Sequence, residues 1–265
     1  MTITTAGPST SVVDVAGVTT TFRRTGAGRP VLYLHGAFFP TRWLPFHDAL
    51  AQSVDLVAPV HPGYAEGHPP GWLRGFDDLV LHYRSLLDVL DLDRVDLVGY
   101  DLGGWLGAQI AAHYPERIRT FTAIAPSGLW LPEAPMFEFL NASREQLEAA
   151  LFGGPAGEHG YLLAAADDIE AYTDAYGENG VTARLIWERR YDVGLARRVA
   201  LIDVPAQVIA PIEDHVVPVV HAQRWAELLP QGRLVTLDAV DHALIIQAPS
   251  RVAQAVTSFI EEVAA

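Results

Sequence analysis

The sequence predicts an α/β fold, in which a mostly parallel central sheet is flanked by helices and carries a helical insertion. Two observations predict it. Short β-branched or apolar runs bounded by Gly, Pro or Asp alternate with segments of helical periodicity, which is typical of parallel sheets covered on both faces. The alternation breaks once, in a more polar helical stretch. At 265 residues, half of them hydrophobic, the chain is long enough to bury a sizeable core.

The predicted elements follow one another along most of the chain. An early hairpin is expected at residues 11–22, and the remaining runs predict strands at 30–34, 54–58, 95–98, 120–125, 206–210 and 233–237. Helical spacing of apolar residues predicts helices between them at 76–90, 103–113, 221–229 and 249–263. We find no internal repeat and no low-complexity tract.

The break in the alternation predicts a helical lid at 129–199, inserted into a core formed by 1–128 and 200–265. Helices are expected within it at 144–151, 164–176 and 181–190, interrupted by glycines. The alternative is an independent helical domain, which the immediate return of the strand pattern disfavours. A lid over the carboxyl ends of the strands would cover the place where open α/β sheets bind ligands.

Charge and composition limit the kinds of molecule that this chain is expected to bind. The net charge of −14 disfavours nucleic acid and anionic membranes, so a small-molecule substrate is expected. The absence of cysteine excludes disulfides and thiolate metal sites. No signal peptide is recognisable at 1–10, and no apolar run approaches a membrane span of about 20 residues. A cytoplasmic protein is therefore expected, whereas its oligomeric state stays open.

The strongest local motif is Gly99-x-Asp101-x-Gly103, which lies between a predicted strand and a helix of small residues. This is the context of a nucleophile elbow, a sharp turn that exposes its central side chain above the sheet at the positive end of a helix. A turn aspartate with a local hydrogen bond would be the alternative. The flanking glycines and the partner residues favour a nucleophilic Asp101.

Two partners follow at the ends of later strands. Asp214 comes directly after one predicted strand, and His242 lies between the next strand and the last helix. The order nucleophile, acid, histidine is that of a known catalytic triad. Glu213 and Asp241 are neighbouring carboxylates that could serve as the acid instead.

The backbone next to this motif predicts an oxyanion hole. The segment Leu34-His-Gly-Ala37 follows the first central strand, so the N–H of Ala37 is one expected donor. The N–H of Leu102, directly after the nucleophile, is the other. The ten histidines show no metal-ligand spacing, and we expect neither a metal nor a cofactor.

Taken together, these motifs resemble the α/β-hydrolase fold along the whole chain. The segments that carry the resemblance are Leu34-His-Gly36, His61-Pro-Gly63, Val98-Gly-Tyr-Asp-Leu-Gly-Gly-Trp105, Tyr114-Pro-Glu-Arg117, Asp214-His-Val-Val-Pro218, and His242 with Pro249. With aspartate at the nucleophile position, the chain resembles epoxide hydrolases and dehalogenases. Residues 42–46, 103–105 and 125–128 are more similar to serine hydrolases of esters or carbon–carbon bonds.

An aspartate nucleophile restricts the chemistry. A carboxylate attacks saturated carbon that bears a leaving group and forms an alkyl-enzyme ester, which water activated by a histidine then hydrolyses. Epoxides and alkyl halides suit this sequence of steps. Attack on an ordinary ester would give a reactive anhydride, so a simple esterase is disfavoured.

The resemblance to epoxide hydrolases implies that two lid tyrosines protonate the epoxide oxygen. The lid offers Tyr161, Tyr172, Tyr176 and Tyr191, and the middle two lie four residues apart on one helical face. The halide-holding donors of haloalkane dehalogenases would fall at Leu102 and Ala37, whose side chains cannot donate, although Trp187 or Trp43 could substitute. The predicted substrate-binding residues are Phe38, Tyr172, Tyr176 and Trp187.

The leading prediction is an epoxide-hydrolase-like enzyme for a small to medium apolar substrate. It departs from that family at Phe38, where the related enzymes usually have proline. Three alternatives stay open. The first is an ester or carbon–carbon hydrolase whose serine has been replaced by Asp101. The others are a haloalkane dehalogenase and a non-catalytic ligand-binding protein on this fold.

Overall fold

A computed structural model describes residues 8–164, 167–187 and 190–265. Its centre is an eight-stranded sheet with the order β1-β2-β4-β3-β5-β6-β7-β8. The strands are β1 (Thr10–Val15), β2 (Val18–Gly26), β3 (Pro30–Leu34), β4 (Asp55–Pro59), β5 (Val95–Tyr100), β6 (Ile118–Ile124), β7 (Ala206–Pro211) and β8 (Gly232–Leu237). The β1–β2 and β2–β4 pairs are antiparallel and the pairs from β4 to β8 are parallel, which confirms the predicted fold class.

Helices cover both faces of the sheet. They are α1 (Pro45–Ala51), α2 (Phe76–Val89), α3 (Leu102–His113), α4 (Arg144–Phe152), α5 (Ile169–Ile186), α6 (Leu195–Val199), α7 (Val219–Leu228), α8 (Leu244–Gln247) and α9 (Pro249–Ala264), with 3₁₀ turns at Pro115–Arg117 and Gly157–Leu162. Every residue of β5 and β7 is buried, because such central strands are covered on both faces. The short α1, α6 and α8 were not predicted, since two turns or fewer carry too little periodicity.

Two hydrophobic clusters fill the space between the sheet and the helices. One contains the inward side chains of α2, α3 and α7, among them Tyr83, Leu106 and Trp225. The other contains those of α1, α8 and α9, among them Phe46 and Val252. Among the described helices, none is both long and apolar enough to cross a membrane.

The insertion between β6 and β7 contains α4, α5 and α6. The two helices predicted at 164–176 and 181–190 are largely one continuous helix, α5; residues 165, 166, 188 and 189 lie outside the described part of the chain. Gly177 lies inside this helix, where an added Cβ would stand 2.6 Å from the carbonyl oxygen of Gly67. Gly177 is therefore a point of close backbone packing between α5 and the core.

Polar contacts also hold α5 against the core. The Thr41 hydroxyl donates to the Glu178 carboxylate at 2.8 Å, and the hydroxyls of Tyr64 and Thr182 lie 2.8 Å apart. The Arg184 guanidinium donates to the Leu73 carbonyl at 3.2 Å. The insertion thus packs on the core along much of one helix, while its role as a lid stays a prediction.

Candidate active site

Asp101 occupies the sharp turn between β5 and α3. Its φ of 50° and ψ of −115° lie outside the regions that L-residues normally adopt. The flanking glycines permit the turn: a Cβ on Gly99 would stand 2.1 Å from the Gly103 carbonyl oxygen, and one on Gly103 would stand 2.0 Å from that of Leu34. The backbone geometry is thus that of the elbow predicted from the glycine spacing.

The Asp101 carboxylate is turned toward the predicted oxyanion donors. The Ala37 N–H donates to its Oδ2 at 2.9 Å. Gly36 allows this approach, since a Cβ there would stand 2.7 Å from the Asp101 Cβ. The Leu102 N–H and the Ser127 side chain also favour the charged carboxylate and so act to lower its pKa, but the Ser127 hydroxyl forms no hydrogen bond within the described residues. One carboxylate oxygen of Asp101 therefore occupies the site that sequence reasoning assigned to an oxyanion.

Burial raises the pKa of Asp101 above its ordinary value, because the side chain is removed from water. His242 and the amides of Ala37 and Leu102, together with Ser127, oppose this effect by favouring the carboxylate, but burial is the larger influence. The side chain is thus a poorly solvated carboxylate, which is a stronger nucleophile than a hydrated one.

His242 is fully buried and is oriented by Asp214. Its Nδ1 lies 3.1 and 3.0 Å from the two Asp214 carboxylate oxygens. Asp214 Oδ1 in turn accepts from the backbone N–H groups of Val216 at 2.9 Å and Val217 at 2.7 Å. The carboxylate must accept, so Nδ1 carries the proton and Nε2 is the basic nitrogen. Nε2 is buried and bonds to no other atom of the described residues.

The pKa of His242 is raised above its ordinary value. Burial acts to lower it, but the charge and hydrogen bond of Asp214 outweigh burial, with further contributions from Asp101 and Asp241. The imidazolium form is therefore stabilised. A catalytic base requires this, because it must hold a proton during the reaction.

The neighbouring carboxylates occupy other positions. Glu213 is exposed, and Asp241 accepts from the His215 N–H at 3.0 Å and the His242 N–H at 2.8 Å. The Asp241 carboxylate also pairs with the His215 ring at 2.5 Å. Of the three candidate acids, Asp214 is the one that bonds the His242 ring.

Aromatic side chains surround the histidine. The Phe38 ring lies 5.7 Å from that of His242, and Phe139 of the insertion packs edge-on against Phe38 at 5.0 Å. The Tyr100 hydroxyl donates to the His242 carbonyl at 3.0 Å. Phe38, predicted to bind substrate, thus stands between the base and the insertion.

Tyr172, Tyr176 and Trp187 do not join this cluster. Their side chains are 59%, 74% and 77% exposed, respectively. Tyr172 and Tyr176 do share one helix, α5, as their spacing suggested. Their roles in binding substrate stay predictions.

Sequence reasoning did not single out Tyr100 or Ser127. Tyr100 ends β5, and Ser127 follows β6, the neighbouring parallel strand. Because carboxyl ends of adjacent parallel strands meet at one edge, the position of Ser127 after β6 was a usable signal. No feature of the sequence indicated the contact between Tyr100 and His242, since a tyrosine next to a nucleophile is as easily a packing residue.

Comparison with known proteins shows which family the sequence matches. Residues 31–255 match the model of the alpha/beta hydrolase family. The epoxide hydrolase EphH of Mycobacterium tuberculosis is 30% identical over 207 residues, which cover 68% of this chain and 92% of that protein.

Two other hydrolases are similar too. The 2-hydroxy-6-oxo-2,4-heptadienoate hydrolase of Pseudomonas putida is 32% identical over 123 residues, 44% of this chain and 45% of that protein. The solved meta-cleavage product hydrolase CumD of Pseudomonas fluorescens superposes with a TM-score of 0.75 at 21% identity, covering 95% of this chain and 97% of that one. At this identity the superposition establishes the fold alone.

Proposed function

Because the chain belongs to the alpha/beta hydrolase family, we propose that it is a hydrolase whose nucleophile is the Asp101 carboxylate. The proposed reaction opens an epoxide on a small to medium apolar molecule. Its product is a diol, and its intermediate is an alkyl ester of Asp101.

The hydrogen bond from the Ala37 N–H to Asp101 Oδ2 carries this proposal. In a serine-type reaction, this amide would have to be free for the carbonyl oxygen of the substrate. Here it holds an oxygen of the enzyme's own carboxylate. Once Oδ1 has been alkylated, Oδ2 becomes the ester carbonyl oxygen. It is then already bound where negative charge develops when water attacks Cγ.

The proposed reaction has two steps. Asp101 Oδ1 bonds to an epoxide carbon, the carbon–oxygen bond of the ring breaks, and the ring oxygen takes up one proton from solvent. In the second step His242 Nε2 removes a proton from water, and the resulting hydroxide attacks the Asp101 Cγ. Collapse of the tetrahedral intermediate releases the diol oxygen, which receives the proton from His242. Asp101 is left as the carboxylic acid, and it returns one proton to solvent to restore the carboxylate.

The surroundings of the base support an apolar substrate. Phe38 and Phe139 form an apolar wall beside His242. The identity to the epoxide hydrolase EphH is consistent with the proposed substrate class. For Tyr172 and Tyr176 to protonate the ring oxygen, as the resemblance implies, their exposed side chains would have to turn inward.

The test is intact-protein mass spectrometry of His242→Gln after exposure to epoxides, alkyl halides and activated esters. Without its base the variant is expected to form the ester but not hydrolyse it, with turnover reduced by about 10²–10⁴-fold. An adduct that maps to Asp101 and has the mass of an added epoxide is the expected result.

His113→Gln is the matched control, because His113 is exposed at the end of α3 and bonds only a carbonyl oxygen of its own helix. It should keep wild-type turnover and accumulate no adduct. If folded His242→Gln forms no adduct with any epoxide, the proposal is wrong. An adduct from the alkyl halides with release of halide would instead indicate a dehalogenase.

The dependence of turnover on pH gives a second test. Hydrolysis of the ester requires neutral His242, whose pKa is raised, so turnover should increase with pH through an inflection above the ordinary histidine value of 6.5. Alkylation requires only ionised Asp101, so it should continue at lower pH. Single-turnover adduct formation in His242→Gln should therefore lack the inflection of wild-type turnover.

The second candidate is a carbon–carbon or ester hydrolase in which Asp101 has replaced serine. The identity to the heptadienoate hydrolase of Pseudomonas putida favours it. On this reading the wild-type chain would be inactive toward every class of the panel. The Asp101 side chain would then merely block the amide of Ala37.

A further inference from the structure

A cleft of about 570 Å³ opens on the surface between α2, α3 and the end of α5. Its lining includes Arg74, Phe76, Trp105, Arg184, Trp187 and Asp192. Asp101, His242 and Phe38 are not among the residues that line it. The cleft is therefore distinct from the proposed catalytic centre.

Two arginines line this cleft, in a chain of net charge −14. The nearest carboxylate to Arg74 is that of Asp78, which accepts the Arg74 backbone N–H at 2.6 Å. Within the described ranges, the Arg74 guanidinium has no ion-pair or hydrogen-bond partner, and that of Arg184 donates only to the Leu73 carbonyl through Nε. The carboxylate of the lining, Asp192, is already paired with Arg198 at 2.7 Å and bonds Gln109 at 3.2 Å. As far as the described residues show, both guanidinium groups are therefore available to an added anion.

The walls between these charges are aromatic. Phe76 and Trp105 stack with their ring centroids 4.1 Å apart, but both are buried and offer the cleft little surface, whereas the Trp187 side chain is 77% exposed there. Exposed tryptophan beside stacked rings is the kind of surface on which a flat apolar body packs. Among the described residues, the buried indole N–H of Trp105 also finds no acceptor. Such an unsatisfied donor calls for an explanation.

We propose that this cleft binds a small anion that carries a flat apolar body, such as an aromatic carboxylate. The carboxylate would bind Arg74 and Arg184, and the ring would pack against the exposed side chain of Trp187. Its lining does not include Asp101, His242 or Asp214, so we propose a binding site here and no catalytic step. It does adjoin the elbow, since the backbone N–H of Trp105 donates to the Asp101 carbonyl at 3.3 Å.

The test uses 2-naphthoate as the probe and calorimetric titration of the full chain. Wild-type protein should bind the probe, and naphthalene-2-carboxamide, which keeps the ring but lacks the charge, should bind about tenfold more weakly or not at all. The double variant Arg74→Gln with Arg184→Gln should lose affinity for 2-naphthoate about tenfold or more and bind both probes alike. Trp187→Ala should weaken both probes.

Arg224→Gln is the matched control, since Arg224 lies on α7 in an exposed pair with Glu227 and away from the cleft lining. It should bind 2-naphthoate as the wild type does. Asp101→Asn should also keep this binding, which separates the cleft from the catalytic proposal. The inference is overturned if the wild type does not bind 2-naphthoate, or if the double variant binds it unchanged. It also fails if Asp101→Asn abolishes binding.

Discussion

Asp101→Asn is expected to abolish turnover of the epoxide substrate, by about 10⁴-fold or more. The amide oxygen of Asn can still accept from the Ala37 N–H, so the local geometry should be kept. It lacks the negative charge that attacks carbon, and no ester can form. Neither product nor a covalent adduct should therefore be detected by mass spectrometry.

The same substitution should stabilise the fold. The pKa of folded Asp101 is raised, chiefly by burial, so the carboxyl group favours folding at low pH. That contribution is lost as the pH rises from the ordinary value of 3.8 through the raised value, because the buried group must then carry charge. Asn carries no charge at any pH, so the Tm of the variant should increasingly exceed that of the wild type as the pH rises from 3.8 through the raised pKa of Asp101. Each kcal/mol corresponds to roughly 2–4 °C for a domain of this size.

Thermal unfolding and turnover should be measured together, with Asp238→Asn as the control. Asp238 is an exposed carboxylate paired with Arg251, so its loss should not raise the Tm and should leave turnover unchanged. Retained turnover in Asp101→Asn would rule out a carboxylate nucleophile. Ester hydrolysis gained by Asp101→Ser, from an inactive wild type, would support the second candidate.

The elbow could be predicted because its determinants are local. Gly99 and Gly103 stand two residues on either side of Asp101, and each is required by a backbone atom within 2.1 Å of the position of a Cβ. The strands around it could be predicted for the same reason, since short apolar runs in an α/β pattern leave few alternatives. Asp214 and His242 follow from their positions after consecutive strands of one parallel sheet, β7 and β8.

The orientation of the insertion could not be predicted, because long-range contacts decide it. The position of helix α5 is fixed by its close approach to Gly67 and by the polar contacts of Glu178 and Thr182 with the core. No periodicity within 129–199 encodes those partners. The spacing of Tyr172 and Tyr176 indicated a shared helical face but not the direction in which it points. Long-range contacts also decide the cleft between α2, α3 and the insertion, so the sequence could not predict it.

The bond between Ala37 and Asp101 was also beyond sequence reasoning. The sequence indicated the donor and the nucleophile separately, and it assigned the donor to an oxyanion of the substrate. Only the fold shows that Gly36 brings the loop after β3 to within bonding distance of the carboxylate. Because the proposed carboxylate mechanism rests on this contact, its disruption is the most direct structural test.

Gly36→Ala should separate the two chemical steps. An added Cβ would stand 2.7 Å from the Asp101 Cβ and 2.8 Å from its Oδ2, so the loop or the carboxylate must move and the Ala37 bond must lengthen. Losing one oxyanion donor typically costs about 10²–10³-fold in rate. Because the donor acts on the ester carbonyl, the loss should fall on hydrolysis. The alkyl ester of Asp101 should then accumulate during turnover, even though His242 is intact.

Gly71→Ala is the matched control, because a Cβ at Gly71 has no heavy atom within 4 Å and should alter neither step. Quenched-flow sampling with mass spectrometry would measure ester formation and decay separately in both variants. A folded Gly36→Ala protein that hydrolyses its ester at the wild-type rate would show that the amide of Ala37 only positions Asp101. If ester formation fails while hydrolysis of preformed ester is unchanged, the contact serves to aim the nucleophile. Slow decay with normal formation would instead place the oxyanion on Asp101 itself, as a carboxylate nucleophile requires.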